Sequence, residues 1–501
     1  MESPAEPDQQ EPTPDPQETP LHSLAADLSA PTITRAYQCQ CGRPIFLGNS
    51  ECLACHTPLG FVIDSMGVVP LAPVARAPVP AAQQDPQGGN DGLDAQDAGN
   101  GDENDPALDT YTVFGDGNGK QYHRCANFTT AAGCNWMVPV RGNGHNGDNG
   151  DLGEDNLGLA PGYCLSCSAT RTIPDLSVPT NGELWRRLEQ AKRRLMSQLL
   201  ALGLPVVTRH ADPVHGLAFD FLSNVPGGPH VLTGHEEGVI TLNAEEAEDA
   251  VRERIRAEMR EPYRTLVGHF RHEIGHYYWD RLVYPTPWID DFRALFGDER
   301  LDYAGALHQH YEQGPPPDWA LRFVTSYASS HPWEDWAETW AHYLHMADTA
   351  DTAMSFGVDA TLVELASDLF EAADLWQPEH PDAMKFLDFL NGWVRLTNVL
   401  NELSRSMGQP DYYPFVLPRA AVGKLQFVHQ VITHERQRRV EPPVPREASP
   451  APEQRQAQQQ EHGWSPMLQQ FQAQRIMRGA ANAFRPRRRW AAFSPPSGFS
   501  G

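Results

Sequence analysis

Residues 261–283 read EPYRTLVGHFRHEIGHYYWDRLV, and their spacing predicts a helix that carries a chemical face. Pro262 suits a first helical turn, and Leu266, Phe270, Ile274 and Tyr277 recur on one apolar side. His272 and His276 stand four residues apart, so on a helix both imidazoles point the same way and can share one metal ion. Glu273 sits beside them, placed to take a proton from a metal-activated water. Two histidines and a glutamate can also merely decorate a helix surface, so the segment alone does not decide between chemistry and decoration.

A second segment, residues 327–345, reads YASSHPWEDWAETWAHYLH, with Pro332 at an expected helix start. Glu334 and Glu338 share one helical face, and Trp336 and Trp340 share another. A site with two neutral imidazoles needs a third protein ligand, and a carboxylate there leaves the fourth position to water. A carboxylate one turn further on can hydrogen-bond a ligand imidazole and fix its tautomer. Glu334 is therefore read as the third ligand and Glu338 as its supporting partner, although two carboxylates one turn apart can exchange those roles. Asp335 reads as a solvated carboxylate favoured by the helix dipole. His331, His342 and His345 read as packed or capping histidines.

An H-E-x-x-H motif followed some sixty residues later by E-x-x-A-E resembles the gluzincins, the thermolysin-like metallopeptidases, and the arrangement of Tyr327 ahead of Glu334 resembles the catalytic domain of anthrax lethal factor. The resemblance implies Glu334 as ligand, Glu338 behind it, and Tyr327 as a phenol that stabilises an oxyanion. CGRPIFLGNS, CLACHTPLGF, RCANF, VLTGHEEGVITLN, GHFRHEIGHYYWDRLV, FGDERLDYAGAL and HPWEDWAETWAHYLH are similar to stretches of a bacterial family of zinc-binding metallopeptidases with an N-terminal zinc ribbon, over residues 37–434.

All eight cysteines fall in two blocks ahead of these helices. Cys39-x-Cys41 is followed by Cys52-x-x-Cys55, and Cys125 and Cys134 are followed by Cys164-x-x-Cys167. Each block supplies four thiolates, the number a tetrahedral structural zinc needs, and the close pairs have the spacing of knuckles. Gly42 supports a tight turn after the first pair. Such a module either clips together a domain too small to fold alone or docks a protein partner.

The rest of the chain sets these blocks in order. Residues 1–36 are acidic, proline-rich and too poor in large apolar groups to bury a core. Residues 37–173 form the zinc-ribbon region, in which 72–109 reads as a flexible linker and 141–158 as a solvated loop. Residues 174–439 are expected to form the zincin-like domain, with an amphipathic helix over 181–202 and short strands at 204–208, 217–222 and 238–243. The last of these strands either accepts an extended peptide along its edge or lies inside a sheet. Residues 440–501 read as a disordered tail whose Arg485–Arg489 cluster stands beside Trp490. The fold class expected is α+β: a mostly helical zincin-like domain with a small sheet, preceded by zinc-ribbon modules.

With 39 basic against 65 acidic side chains and a net charge of −26, broad binding to nucleic acid or anionic membrane is disfavoured, because phosphate contacts need clustered cations. No export signal and no membrane-spanning run of apolar residues is legible, so a cytoplasmic protein is expected. The reading is a zinc metallopeptidase acting on peptide or protein substrates, with Glu273 as general base, one catalytic zinc and up to two structural zinc ions. The alternatives are a zinc-ribbon regulatory protein without turnover, and a metal hydrolase of a non-peptide amide. Asp298, Glu299 and Asp302 are either an acidic subsite or the polar start of a helix.

Overall fold

The computed structural model of the chain describes residues 34–74, 109–140, 159–225, 227–228, 230–284, 286–358 and 370–440. The N-terminal lead-in, most of the 72–109 segment, the 141–158 loop and the basic tail lie outside the described residues.

The two cysteine blocks build one unit. A short hairpin, β1 (Tyr37–Gln38) and β2 (Pro44–Ile45), holds the first cysteine turn, where Gly42 adopts a φ of 83°. Behind it lies a five-stranded antiparallel sheet of β3 (Leu59–Val62), β4 (Gly67–Pro73), β5 (Thr110–Val113), β6 (Tyr122–Arg124) and β7 (Met137–Pro139), in chain order. Strands β3 and β4 come from the first block and the other three from the second, and β4 pairs with β5 directly. The expected linker thus joins neighbouring strands of one sheet. Phe61 stacks on Trp136 at 4.3 Å, and the Arg124 guanidinium donates to the Leu59 carbonyl at 2.6 Å. Neither block buries enough apolar surface alone, and sharing a sheet gives both a common core.

A second sheet runs in the order β10 (Gly234–Glu236), β11 (Val239–Asn243), β9 (Ala218–Leu222) and β8 (Thr170–Thr172). Strands β8, β9 and β11 are parallel and β10 is antiparallel at the edge. The 173/174 division passes between β8 and its neighbour β9. Strand β11, the candidate peptide-binding edge, lies between two strands, and the edge strands of the sheet are β10 and β8. Residues 204–208 form no strand: they are extended, with a single bridge from Thr208 to Leu217.

Helices cover this sheet and extend past it. After α1 (Leu165–Ser168), α2 (Asn181–Ala201) runs to a stop at Gly203, whose φ of 70° ends the helix. Further on come α3 (Asp249–Met259), α4 (Leu266–Tyr278), α5 (Trp288–Phe296), α6 (Tyr303–Gln313), α7 (Pro332–Ser355), α8 (Ala383–Ser406) and α9 (Arg419–Val440). Helix α4 starts later than Pro262 suggests. Thr265 is its cap and accepts from the Gly268 amide at 3.0 Å, which leaves Pro262 outside the helix. Its C-terminal end widens into a π turn over Trp279–Val283.

Helix α4 packs antiparallel on α7. Trp336 donates its indole N–H to the Gly275 carbonyl at 2.8 Å, and a side chain at Gly275 would press within 3.1 Å of the Ala337 backbone. On the sheet side Phe270 meets Phe219 and Phe221 edge-on, at 5.6 and 6.1 Å. The α4–α7 pair is thereby fixed on both sides. Among the described residues no helix is long and apolar enough to cross a membrane.

Candidate active site

The antiparallel α4–α7 pair brings three ligand atoms to one point. Nε2 of His276 lies 3.2 Å from Nε2 of His272, which lies 3.1 Å from Oε2 of Glu334; the other Glu334 oxygen is 3.7 Å from His276. Bonds of about 2.0–2.1 Å to a tetrahedral zinc would set such atoms about 3.3 Å apart, so the spacing fits that ion. Oε2 of Glu334 is buried without a hydrogen-bond donor, which is costly unless a cation completes the site.

Two of the three donors are held from behind, whereas Nδ1 of His276 is buried without a hydrogen-bond partner. Oε1 of Glu338 lies 2.6 Å from Nδ1 of His272, and its other oxygen accepts from the Thr325 hydroxyl at 2.7 Å. That contact orients the ring with Nε2 toward Glu334 and His276. The Tyr303 hydroxyl donates to Oε1 of Glu334 at 2.5 Å. The sequence reading missed Tyr303, which enters from the start of α6 inside the very FGDERLDYAGAL stretch it had singled out. Helix α7 is capped by Nδ1 of His331, which accepts from the Trp333 amide, and Pro332 opens it as expected.

The electrostatics follow from burial and close charges. Burial opposes protonation of His272, but Glu334 and Glu338 outweigh it and hold the ring well above the usual histidine range. Burial would raise Glu334, but His276 and His272 hold it well below the usual carboxylate range. His276 is pushed down by burial. Glu273, buried and on the cleft wall, is pushed up to about 7 by burial, with Glu334 adding to the rise. Tyr327 lies in a 3-10 turn (Tyr327–Ser330) ahead of α7, its ring 5.9 Å from that of His272, and burial pushes its phenol well up.

One further expectation is corrected, and the open ones are resolved. Asp335 is not solvated: it is fully buried and pairs with Lys424 of α9 at 2.5 Å, because α7 is covered on the face it presents there. Asp298 and Glu299 pair with Arg300 and Arg293, and Asp302 caps α6, so the three acids form no subsite. His342 packs against Tyr413, and His345 accepts from Arg271.

A cleft of about 1330 Å³ opens beside these groups, lined by His272, Glu273 and Tyr327 among others. The cysteines form two further clusters, Cys39–Cys41–Cys52–Cys55 and Cys125–Cys134–Cys164–Cys167. Their sulfurs stand 3.5 Å apart for Cys39 and Cys55, 3.8 Å for Cys41 and Cys52, and 3.6 Å for Cys134 and Cys164. Zinc–sulfur bonds of about 2.3 Å give about 3.8 Å between thiolates, whereas a disulfide needs about 2.05 Å, so the spacing fits zinc.

Comparison with known proteins agrees with this architecture. Residues 181–431 match the family described as "Putative zinc-binding metallo-peptidase", and residues 36–90 and 101–178 match a zinc-ribbon domain. The uncharacterized protein Rv2568c of Mycobacterium tuberculosis is 39% identical over 400 residues, covering 79% of this chain and 95% of the relative. The uncharacterized protein Mb2598c of Mycobacterium bovis matches with the same identity and coverage. No solved structure matches. With its ribbon unit and its two-histidine helix in these places, the chain belongs to this family.

Proposed function

We propose that the chain is a zinc-dependent peptidase in which His272, His276 and Glu334 hold the catalytic ion. The convergence of these three donor atoms beside an open cleft supports the reading. Zinc with three protein ligands keeps a fourth position open, where it activates water and polarises a carbonyl. Glu273 stands on the cleft wall next to that position, and its burial keeps its proton affinity near neutrality, where a carboxylate can both take a proton from water and return it to a leaving amine. Glu338 holds the His272 tautomer, Tyr303 holds Glu334, and Tyr327 faces the site as a donor to developing negative charge. Glu273 favours turnover over a purely regulatory role, because among the described residues its carboxylate makes no ion pair or hydrogen bond that would serve a scaffold. Hydrolysis of a non-peptide amide would use the same groups.

The two cysteine clusters add structural zinc, giving up to three ions per chain. Glu273→Gln tests the mechanism. It should fold and retain all its zinc while turnover on a digested-proteome peptide library drops by about 10²- to 10⁴-fold, the usual worth of a general base. Parent-like cleavage by that variant would remove Glu273 as the base.

A further inference from the structure

From the metal site the cleft extends back along α4 and α7, and the walls change character along it. On α7 most positions between 334 and 350 are buried, but Glu338, His345 and Thr349 stay half-exposed and line the cleft. They lie on one helical stripe, with spacings of seven and four residues. Opposite them, Gly268 of α4 lines the same cleft, one turn or about 6 Å along the helix from His272. Gly268 lets the helix approach its neighbours closely, since a side chain there would meet Thr265 Oγ1 at 3.0 Å and the Tyr263 ring at 3.2 Å.

The far wall is aromatic. Tyr263 stands edge-on to His345 at 5.4 Å and to Phe415 at 6.0 Å, and Phe415 meets His342 at 4.6 Å. Trp393 of α8 backs Tyr413 at 5.0 Å. The rings are fixed by polar contacts with one another and with Arg271. Nδ1 of His342 meets the Tyr413 hydroxyl at 2.5 Å, and Arg271 donates to Nδ1 of His345 at 2.7 Å. An arginine only donates, so the His345 ring carries its own proton on Nε2. Nε2 is also the atom that a side chain at Gly268 would approach, at 3.7 Å. Burial and the Arg271 charge keep His345 well below the usual histidine range, and burial holds His342 down at about 4, so both rings are neutral. Arg271 is itself buried and paired with Asp348 at 2.7 Å.

We propose that this end of the cleft is the specificity pocket, taking one large aromatic side chain from the substrate residue next to the scissile bond. The inference rests on the peptidase reading for its substrate, and on geometry for its preference. A rigid cage of neutral rings favours a flat apolar group by contact area and edge-to-face packing. The single turn between His272 and Gly268 sets the distance from metal to pocket at the reach of one side chain.

The test uses the zinc-loaded full chain and two metal-directed probes, L-phenylalanine hydroxamate and L-alanine hydroxamate, titrated by calorimetry. The phenylalanine probe should bind about 10- to 100-fold tighter, the value of burying one aromatic side chain. Thr349→Trp places an indole at the half-exposed end of the pocket and should bring the ratio near one. Where that variant does not fold, Phe415→Ala removes a wall and should lower the ratio instead. Equal affinity of the parent protein for both probes would overturn the pocket while leaving the metal site standing. A preserved aromatic preference in a protein that cleaves no peptide would uphold the pocket and remove the hydrolytic reading. Binding of neither probe would overturn both.

Discussion

The four-cysteine clusters and the two-histidine cluster are each tight enough for one zinc ion, yet they are built to opposite ends. In the second cysteine cluster all four thiols are buried, and backbone amides turn onto the sulfurs: the Cys164 amide faces Cys125, and the Cys167 amide faces Cys164. Four donors close a tetrahedron and leave nothing for a substrate. The His272–His276–Glu334 cluster has three donors, one of them half-exposed, and a cleft where the fourth would stand. The first cysteine cluster lies between these cases, with Cys41 and Cys55 exposed. Closure reads as support for the fold, and an open position reads as chemistry.

The largest expected effect breaks the closed site. Structural zinc in small domains contributes about 10–16 kcal/mol of apparent binding energy to folding, and the unit here has only a small core of its own on one face of its five-stranded sheet, its other face joining the core of the helical domain. Cys134→Ser should therefore unfold the whole cysteine unit, β5 to β7 included, whereas Cys41→Ser at the exposed knuckle should loosen only the β1–β2 end. Hydrogen exchange on both variants would check this. Equal protection of β6 and β7 in the two would show that the burial difference has no energetic meaning.

Elements set by local spacing were legible in the sequence. His272, Glu273 and His276 sit on α4 because a four-residue step is one helical turn, and Glu338 stands behind His272 for the same reason on α7. Residues whose role depends on distant chain were not. Asp335 looked solvated because its partner, Lys424, lies 89 residues away on α9. Tyr303 reaches Glu334 across 31 residues, from a helix that local pattern marks only as polar. The sheet joining the two cysteine blocks pairs β4 with β5 across the 72–109 segment, which composition describes and pairing does not. The helix start at Thr265 was displaced to Pro262 because proline is a strong local cue, whereas a cap is recognised only by the amide it accepts.

A smaller effect opens the catalytic cluster further. Glu334→Ala leaves two imidazoles for the ion and should abolish zinc retention there, while the cysteine zinc remains. Metal analysis after dialysis should find one ion fewer per chain than in the parent protein. An unchanged zinc content would mean that another group closes the site.

The smallest effect separates ligand from support, and it depends on which atom of each carboxylate faces the ion. Oε2 of Glu334 lies 3.1 Å from Nε2 of His272, the nitrogen that also faces His276, whereas Glu338 touches the opposite nitrogen, Nδ1. Removing Glu338 therefore takes away a hydrogen bond and leaves all three proposed ligands. Its loss frees the His272 ring to rotate, for which the usual cost is about 10- to 100-fold in affinity or activity. Glu338→Ala should thus hold its catalytic zinc through dialysis and yield it to a chelator earlier than the parent does, but later than Glu334→Ala. Glu338→Gln keeps a side-chain oxygen in reach of Nδ1–H and should recover part of the difference, which a merely packing role for Glu338 would not predict. If Glu338→Ala gives up its ion before Glu334→Ala does, the two carboxylates have exchanged roles, and the closed and open sites differ in ligand type but not in the way the geometry assigns.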